Sequence, residues 1–221
     1  MKHIKFMIAM ALVVPLASCE LTPFETGGTA AAPEETVVEE ESSLYTEDTD
    51  ADGETFVFET NDTRYLNEAG YTLWTTRYIN ESDAFEPICV TLCKESGRSE
   101  AGFGIVFCSQ EIDDKPFLLT VLINTNGLYT IGKVVDGVFS YMKSGWNNSN
   151  YINNGYGIRN NMVISHDLEN NNFILEINDY EITDFTVPDG VTFKNSRWGF
   201  AVVISNAEDF PRASVKVSFE K

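Results

Sequence analysis

Lysine and arginine are scarce in this 221-residue sequence: 15 stand against 34 aspartates and glutamates, for a formal net charge of −19. Residues 20–54 contain twelve acids and not one lysine or arginine, and residues 55–221 keep 22 acids against 13 bases. A chain this negative repels phosphate backbones, which bind through lysine and arginine, so nucleic acid is excluded as a partner. Long apolar runs are missing as well. The run at 6–16 is too brief for a permanent membrane-spanning helix. Histidine is confined to His3 and His166, and no His/Cys spacing of zinc type occurs. No serine or cysteine can be matched to a histidine–acid pair, and no glycine-rich phosphate loop leads from a strand into a helix. The sequence therefore assigns no catalytic residue and no metal ligand.

What is present is β patterning. Short apolar runs at 103–108, 117–123, 128–135 and 138–142 are separated by Asp113-Asp114-Lys115-Pro116, Asn124-Thr125-Asn126-Gly127 and Asp136-Gly137. Runs of this length with such turns between them read as antiparallel strands joined by hairpins. Similar runs at 56–60, 71–78, 87–94, 161–166, 173–177, 180–183, 198–204 and 213–219 bring the total to about a dozen. Hydrophobic residues at 43% and aromatics at 12% suffice for a core. The expectation is an all-β, two-sheet antiparallel sandwich over residues 55–221.

Residues 1–18 begin with Lys2, His3 and Lys5, continue through the apolar run, and close on Leu16-Ala17-Ser18-Cys19. A short charged region before a short apolar one marks an export signal. The closing residues resemble the bacterial lipoprotein signal, which implies that Cys19 takes diacylglycerol. Acyl chains at ~0.8 kcal/mol per buried CH₂ would anchor the protein to a lipid bilayer. The expected address is the cell envelope, lipid-anchored and extracytoplasmic, with the outer membrane or cell surface favoured. Residues 19–54 are rich in Glu, Thr, Ala and Pro and poor in large apolar groups, as expected of a disordered acidic tether.

Asp48, Asp50, Asp52, Gly53 and Glu59 fit the D-x-D-x-D-G-x₅-E spacing of a calcium loop. Against it, ETFVFET at 54–60 reads as a strand where the exiting helix should be, and Thr55 occupies an aliphatic position. The plainer reading is an acidic linker. No cofactor is called, and calcium at this loop stays open. Three cysteines remain beyond Cys19. If 97 and 98 form the tip of a hairpin, Cys89 and Cys108 oppose one another, and export permits a disulfide. Their apolar neighbours fit buried free thiols equally well.

Several segments then occur in a familiar order: Gly102-Phe103-Gly104-Ile105-Val106-Phe107, Gly127-Leu128-Tyr129-Thr130-Ile131, Trp146, Asn160-Asn161-Met162-Val163-Ile164, Phe173-Ile174-Leu175-Glu176-Ile177-Asn178 and Trp198-Gly199-Phe200. Together they resemble concanavalin A-like jelly rolls, especially extracytoplasmic domains related to the 3-keto-disaccharide hydrolase family. The last hairpin departs from that pattern, with Asp179 where glycine is expected. The resemblance implies a jelly roll over about 56–220 that binds or cleaves glycans on a concave sheet, and it fixes no catalytic residue.

Glucanases of this fold carry E-[aliphatic]-D-x-x-E on one strand, supplying two carboxylates held ~5 Å apart for retaining hydrolysis. Glu111-Ile112-Asp113-Asp114-Lys115-Pro116 begins that way and ends on proline, so the match is accidental. Asp83, Glu86, Glu176, Glu181 and Asp184 are left unranked. His166 alternates with Ile164 and Leu168 and reads as a strand residue. A sugar site combines an aromatic platform with planar polar groups, and the loop 146–159 supplies Trp146, Asn147, Tyr151, Tyr156 and Arg159. The alternative is that Trp146 and Tyr156 anchor the core while the asparagines shape turns. Two functional readings compete: a tethered module that binds a glycan or host ligand without chemistry, and a carbohydrate-active enzyme, hydrolase or lyase, on the same scaffold. A structural envelope role is a third. Oligomeric state is not readable.

Overall fold

The computed structural model describes residues 46–49, 54–67 and 71–221, so Cys19, most of the acidic tether, and Asp50, Asp52 and Gly53 of the calcium-like loop lie outside it. The described strands are β1 (Thr46–Thr49), β2 (Thr55–Thr60), β3 (Tyr71–Ile79), β4 (Ile88–Ser96), β5 (Phe103–Ile112), β6 (Lys115–Ile123) and β7 (Leu128–Val135). They continue as β8 (Val138–Tyr141), β9 (Asn147–Asn148), β10 (Arg159–Asp167), β11 (Asn172–Ile177), β12 (Tyr180–Thr186), β13 (Arg197–Ile204) and β14 (Val215–Glu220). The one helical element among the described residues is a 3₁₀ turn, Thr63–Asn67. β1 and β9 were not foreseen, being too short and polar to carry a strand pattern.

Two antiparallel sheets form a sandwich. The first runs β1-β2-β14-β4-β10-β11-β12, and the second β3-β13-β5-β6-β7-β8, with β9 paired to β7. The β5–β6 hairpin turns at Asp113 and Asp114 (φ 51° and 59°) and the β7–β8 hairpin at Asp136 and Gly137 (50° and 74°). Left-handed backbone at both central positions is the turn geometry that matches strand twist. The Asn178-Asp179 corner does the same (54° and 69°), so aspartate stands in the left-handed region where the resemblance expects glycine.

Between the sheets, Phe56, Phe200 and Phe219 form a column. Ring centroids are 5.3 Å apart for Phe56–Phe200 and 4.5 Å for Phe200–Phe219. Phe56 and Phe219 belong to the first sheet and Phe200 to the second, so this stack fastens one layer to the other. Aromatic pairs in such offset arrangements add ~0.5–1.5 kcal/mol beyond their buried area.

The pairing of Cys89 with Cys108, one of two readings the sequence left open, is ruled out by the topology. β4 pairs with β10 and β14, whereas β5 pairs with β13 and β6, so the two strands lie in different sheets. The segment between them crosses from one layer to the other instead of forming a hairpin. All three described cysteines are free: Cys89 is exposed, Cys93 and Cys108 buried. Burial pushes the Cys108 thiol up to about 12, where the reactive thiolate is negligible at neutral pH.

Candidate functional site on the outer face of the second sheet

The five loop residues singled out from sequence do not share one surface. Trp146 packs against an apolar cluster on the outside of the second sheet, and Asn147 sits beside it, paired with Tyr129 of β7. Tyr151 stacks on Tyr180 at 4.2 Å, both rings half-exposed. The Tyr156 hydroxyl donates to the Gly97 carbonyl. Arg159 forms an ion pair with Glu220 at 2.7 Å on the first sheet. Amides flanking the loop hold its backbone. Asn178 Nδ2 donates to Tyr151 O (2.7 Å) and Asn160 Oδ1 (2.8 Å), and Asn160 Nδ2 donates to Asn153 O (3.0 Å). Such side-chain to backbone bonds are how asparagine holds irregular chain in shape.

The strand residues offer no catalytic set either. His166 Nε2 meets Asn171 Oδ1 at 3.1 Å and its ring packs on Phe193, with no carboxylate orienting it. Asp83 pairs with Lys194, and Asp184 accepts from Asn172. Among the described residues no group of three or more His, Cys, Asp or Glu could hold a metal. Glu59, last of the calcium-like spacing, lies on β2 and accepts from the Ser214 hydroxyl at 2.8 Å.

A better-formed arrangement lies on the outside of the second sheet. Its inward residues (Ile105, Leu119, Val121, Ile131, Phe200 and Val202) join the main core. The residues of opposite parity are apolar as well. Val106, Leu118, Leu122, Val134 and Ala201 form a second cluster, with Phe139, Trp146 and Val203 packed against it. Strand register draws one row straight across this face: Tyr141, Gly132, Thr120, Val106, Gly199 and Thr76. Its glycines are demanded by close approach. A Cβ on Gly199 would run into the Thr75 carbonyl oxygen, one on Gly104 into that of Val121, and the Phe139 ring fills the place of one on Gly132. Glycine inside a strand marks this kind of intimate packing.

Phe139 and Tyr141, with centroids 5.0 Å apart and rings at 88°, form an aromatic wall on β8, and Tyr141 is exposed. Toward the Asp113-Asp114 and Asp136-Gly137 turns the face opens into a pocket of about 470 Å³. Leu118 and Val134 line it, and Val134 lies directly opposite Phe139 in register. Polar residues also line it: Gln110, Glu111, Asp136, Asn195 and Arg197. Gln110 is committed to the 187–196 loop, donating to Thr192 O (3.0 Å) and accepting from Thr192 N (3.1 Å). A mostly apolar cavity with a few convergent polar groups is the usual form of a small-ligand site.

Sequence reasoning passed over these residues, although a signal was there. FLLTVLI at 117–123 is apolar at nearly every position, where a strand with one wet face alternates. Strand-interior Gly104, Gly132 and Gly199 were a second sign.

No protein-family model matches the sequence, and no curated protein does. Among solved structures, the carbohydrate binding module CBM66 from Bacillus subtilis is 10% identical, with 80% of this chain and 89% of that one covered, at a TM-score of 0.51. Bacillus licheniformis β-glucanase is 5% identical, covering 81% and 85%, at 0.47. Alginate lyase A1-II′ of polysaccharide lyase family 7 is 14% identical, covering 80% and 81%, at 0.44. At such identities the likeness is one of fold: the two-sheet sandwich is shared with concanavalin A-like jelly rolls.

Proposed function

We propose that the protein is a lipid-anchored, extracytoplasmic module that binds a glycan on the outer face of its second sheet without chemistry. The observation that carries this reading is a polar-rimmed pocket lined by Leu118 and Val134, with Val134 opposite Phe139 of the Phe139–Tyr141 pair on the neighbouring strand. A pyranose ring has apolar C–H faces and hydroxylated edges, so it suits an aromatic wall beside carboxylate, amide and guanidinium groups. The likeness of fold to a carbohydrate-binding module is consistent with it. Trp146 and Asn147 lie along the same sheet and would extend the wall, whereas Tyr151, Tyr156 and Arg159 are placed elsewhere. The affiliation with 3-keto-disaccharide hydrolase relatives rests on strand motifs alone and assigns no residue here.

A glycan array probed with the purified protein tests the reading. Tyr141→Ala should weaken binding at least tenfold with an unchanged melting temperature. Binding that survives this change and Phe139→Ala together would move the site elsewhere. The anchor is tested separately: palmitate incorporation should vanish in Cys19→Ala, and incorporation that persists removes Cys19 from the account.

A second reading, a carbohydrate-active enzyme, draws on Glu111 and Asp136. Glu111 lies opposite Pro116 on β6, and the Asp136 amide donates to the Pro116 carbonyl from the other side (2.8 Å), so the two acids flank one end of the pocket. Product release that disappears in both Glu111→Gln and Asp136→Asn would establish that reading. Binding with no release supports the first.

A further inference from the structure

Arg197 stands at the start of β13, on the pocket's rim. Its cross-strand neighbours are Ile79 on β3 and Ser109 on β5, and neither is acidic. It is exposed and makes no ion pair among the described residues, although residues 55–221 hold 22 acids against 13 bases. Among the described residues, four cations of the domain pair with carboxylates (Arg64 with Asp62, Arg159 with Glu220, Lys194 with Asp83 and Lys216 with Glu95), and Arg197 belongs with those that do not. Arg197 thus brings to the pocket's lining a planar fork of five donors that no described carboxylate occupies. That fork matches a carboxylate in two parallel bonds, a geometry lysine cannot reproduce.

Of the two acids of the same pocket, Asp136 sits apart from it and Glu111 is on the next strand. Asp136 follows β7, three strand spacings from β13 and thus about 14 Å away at ~4.8 Å per spacing. Glu111 lies two residues beyond Ser109, toward the turn. The pocket therefore sets Arg197 at one side with Glu111 on the neighbouring strand, and Asp136 across the apolar floor of Leu118 and Val134.

We propose that the pocket selects acidic glycans: Arg197 holds the carboxylate of a uronate-type sugar, with Asn195 beside it, while Glu111 and Asp136 accept the hydroxyls of the adjoining residue. This rests on the glycan-binding reading above and adds the ligand's charge to it. A neutral glycan would leave the guanidinium unused, and a densely sulfated one would meet the two carboxylates along its length. The carboxylate must come from the sugar and not merely from any anion, because the floor offers apolar contact only to a ring stacked across it.

The test uses the full-length protein in detergent. The probes are uronate oligosaccharides (oligogalacturonate, oligomannuronate and oligoglucuronate), each paired with its methyl-esterified twin, plus a set of neutral glycans. The ester keeps ring and hydroxyls and removes the charge. At least one free acid should bind ten times or more tighter than its twin, with affinity falling as salt rises. Arg197→Gln should abolish that difference, and Arg197→Lys should restore only part of it, because the charge returns without the fork. Thermal melting of both variants establishes that they are folded, and the acid-to-ester ratio on wild-type protein stands without either of them. Acid and ester bound equally, or neutral glycans preferred, overturns the inference and leaves the glycan reading intact. If no probe, neutral or acidic, binds the wild-type protein, the glycan reading falls and this inference falls with it.

Discussion

On the first sheet, strands alternate. Phe56 and Phe58 of β2 turn inward while Val57 and Glu59 turn out, and β14 places Val215, Val217 and Phe219 inward with Lys216, Ser218 and Glu220 outward. Its outer face carries ion pairs, Arg159–Glu220 and Lys216–Glu95, at 2.7 and 2.8 Å. The second sheet is apolar on both sides, with Val106, Leu118, Leu122, Val134 and Ala201 buried on the face away from the main core. A sandwich needs only its two inner faces dry. The outer face of the first sheet presents polar and charged side chains. The second sheet instead has an apolar outer floor, strand glycines and an aromatic wall, and it is where a ligand has something to lie against.

The contrast can be broken experimentally. The largest effect should come from the column that joins the layers: Phe200→Ala removes a ring stacked on both Phe56 and Phe219 and should cost about 3–5 kcal/mol in urea unfolding. A cost under about 1 kcal/mol would mean that the two layers hold together without it.

Next is Lys94, buried on the inward side of β4 after Ile88, Val90 and Leu92. Its Nζ donates to Arg98 O (2.7 Å) and Ala101 O (2.9 Å), pinning the segment that crosses between the sheets. Burial lowers its pKa to about 8, partly opposed by Glu208 and Glu100. The unfolded chain, near 10.5, binds the extra proton between these values, so unfolding free energy should rise with pH across about 8 to 10.5. The full gain is ~3 kcal/mol, at 1.36 kcal/mol per unit. Lys94→Met should remove this slope. Parallel pH curves for variant and wild type would show that Lys94 keeps an ordinary pKa.

The outer faces themselves come next. Leu118→Ala should cost about 2–3 kcal/mol, near the low end for buried leucine because its site adjoins a pocket that can relax. Arg159→Ala, on the other sheet's outer face, should cost less than about 1 kcal/mol, since an exposed ion pair contributes little. Equal losses at the two positions would erase the distinction between the faces. The smallest effect is chemical: of the three domain cysteines, a maleimide should label Cys89 alone in native protein, with Cys93 and Cys108 reacting only after unfolding. A native protein that labels at all three would contradict the burial of β4 and β5.

Much of the architecture was legible because its cues are local. Asp136-Gly137 and Asn124–Gly127 announce turns through backbone preference, and alternation in β2, β10, β11 and β14 declares an inward face. The candidate site was less legible. Trp146, Asn147, Tyr151, Tyr156 and Arg159 are neighbours in sequence, but the loop that carries them spreads them over both sheets. Glu111, Asp136 and Arg197 come from strands and turns far apart in the chain and meet only through register. Lys94 looked like the polar end of a strand, because nothing nearby says that two carbonyls will wait for its ammonium.

From composition and pattern alone came the β class, the turn positions, and the inward residues of the alternating strands, all set by preferences that act over a few residues. Tertiary structure alone decided that β4 and β5 belong to different layers, that Cys89 and Cys108 never meet, and which face of the second sheet gathers a pocket. Those outcomes depend on which strands pair across the whole chain, and pairing is settled by the packing of both sheets together.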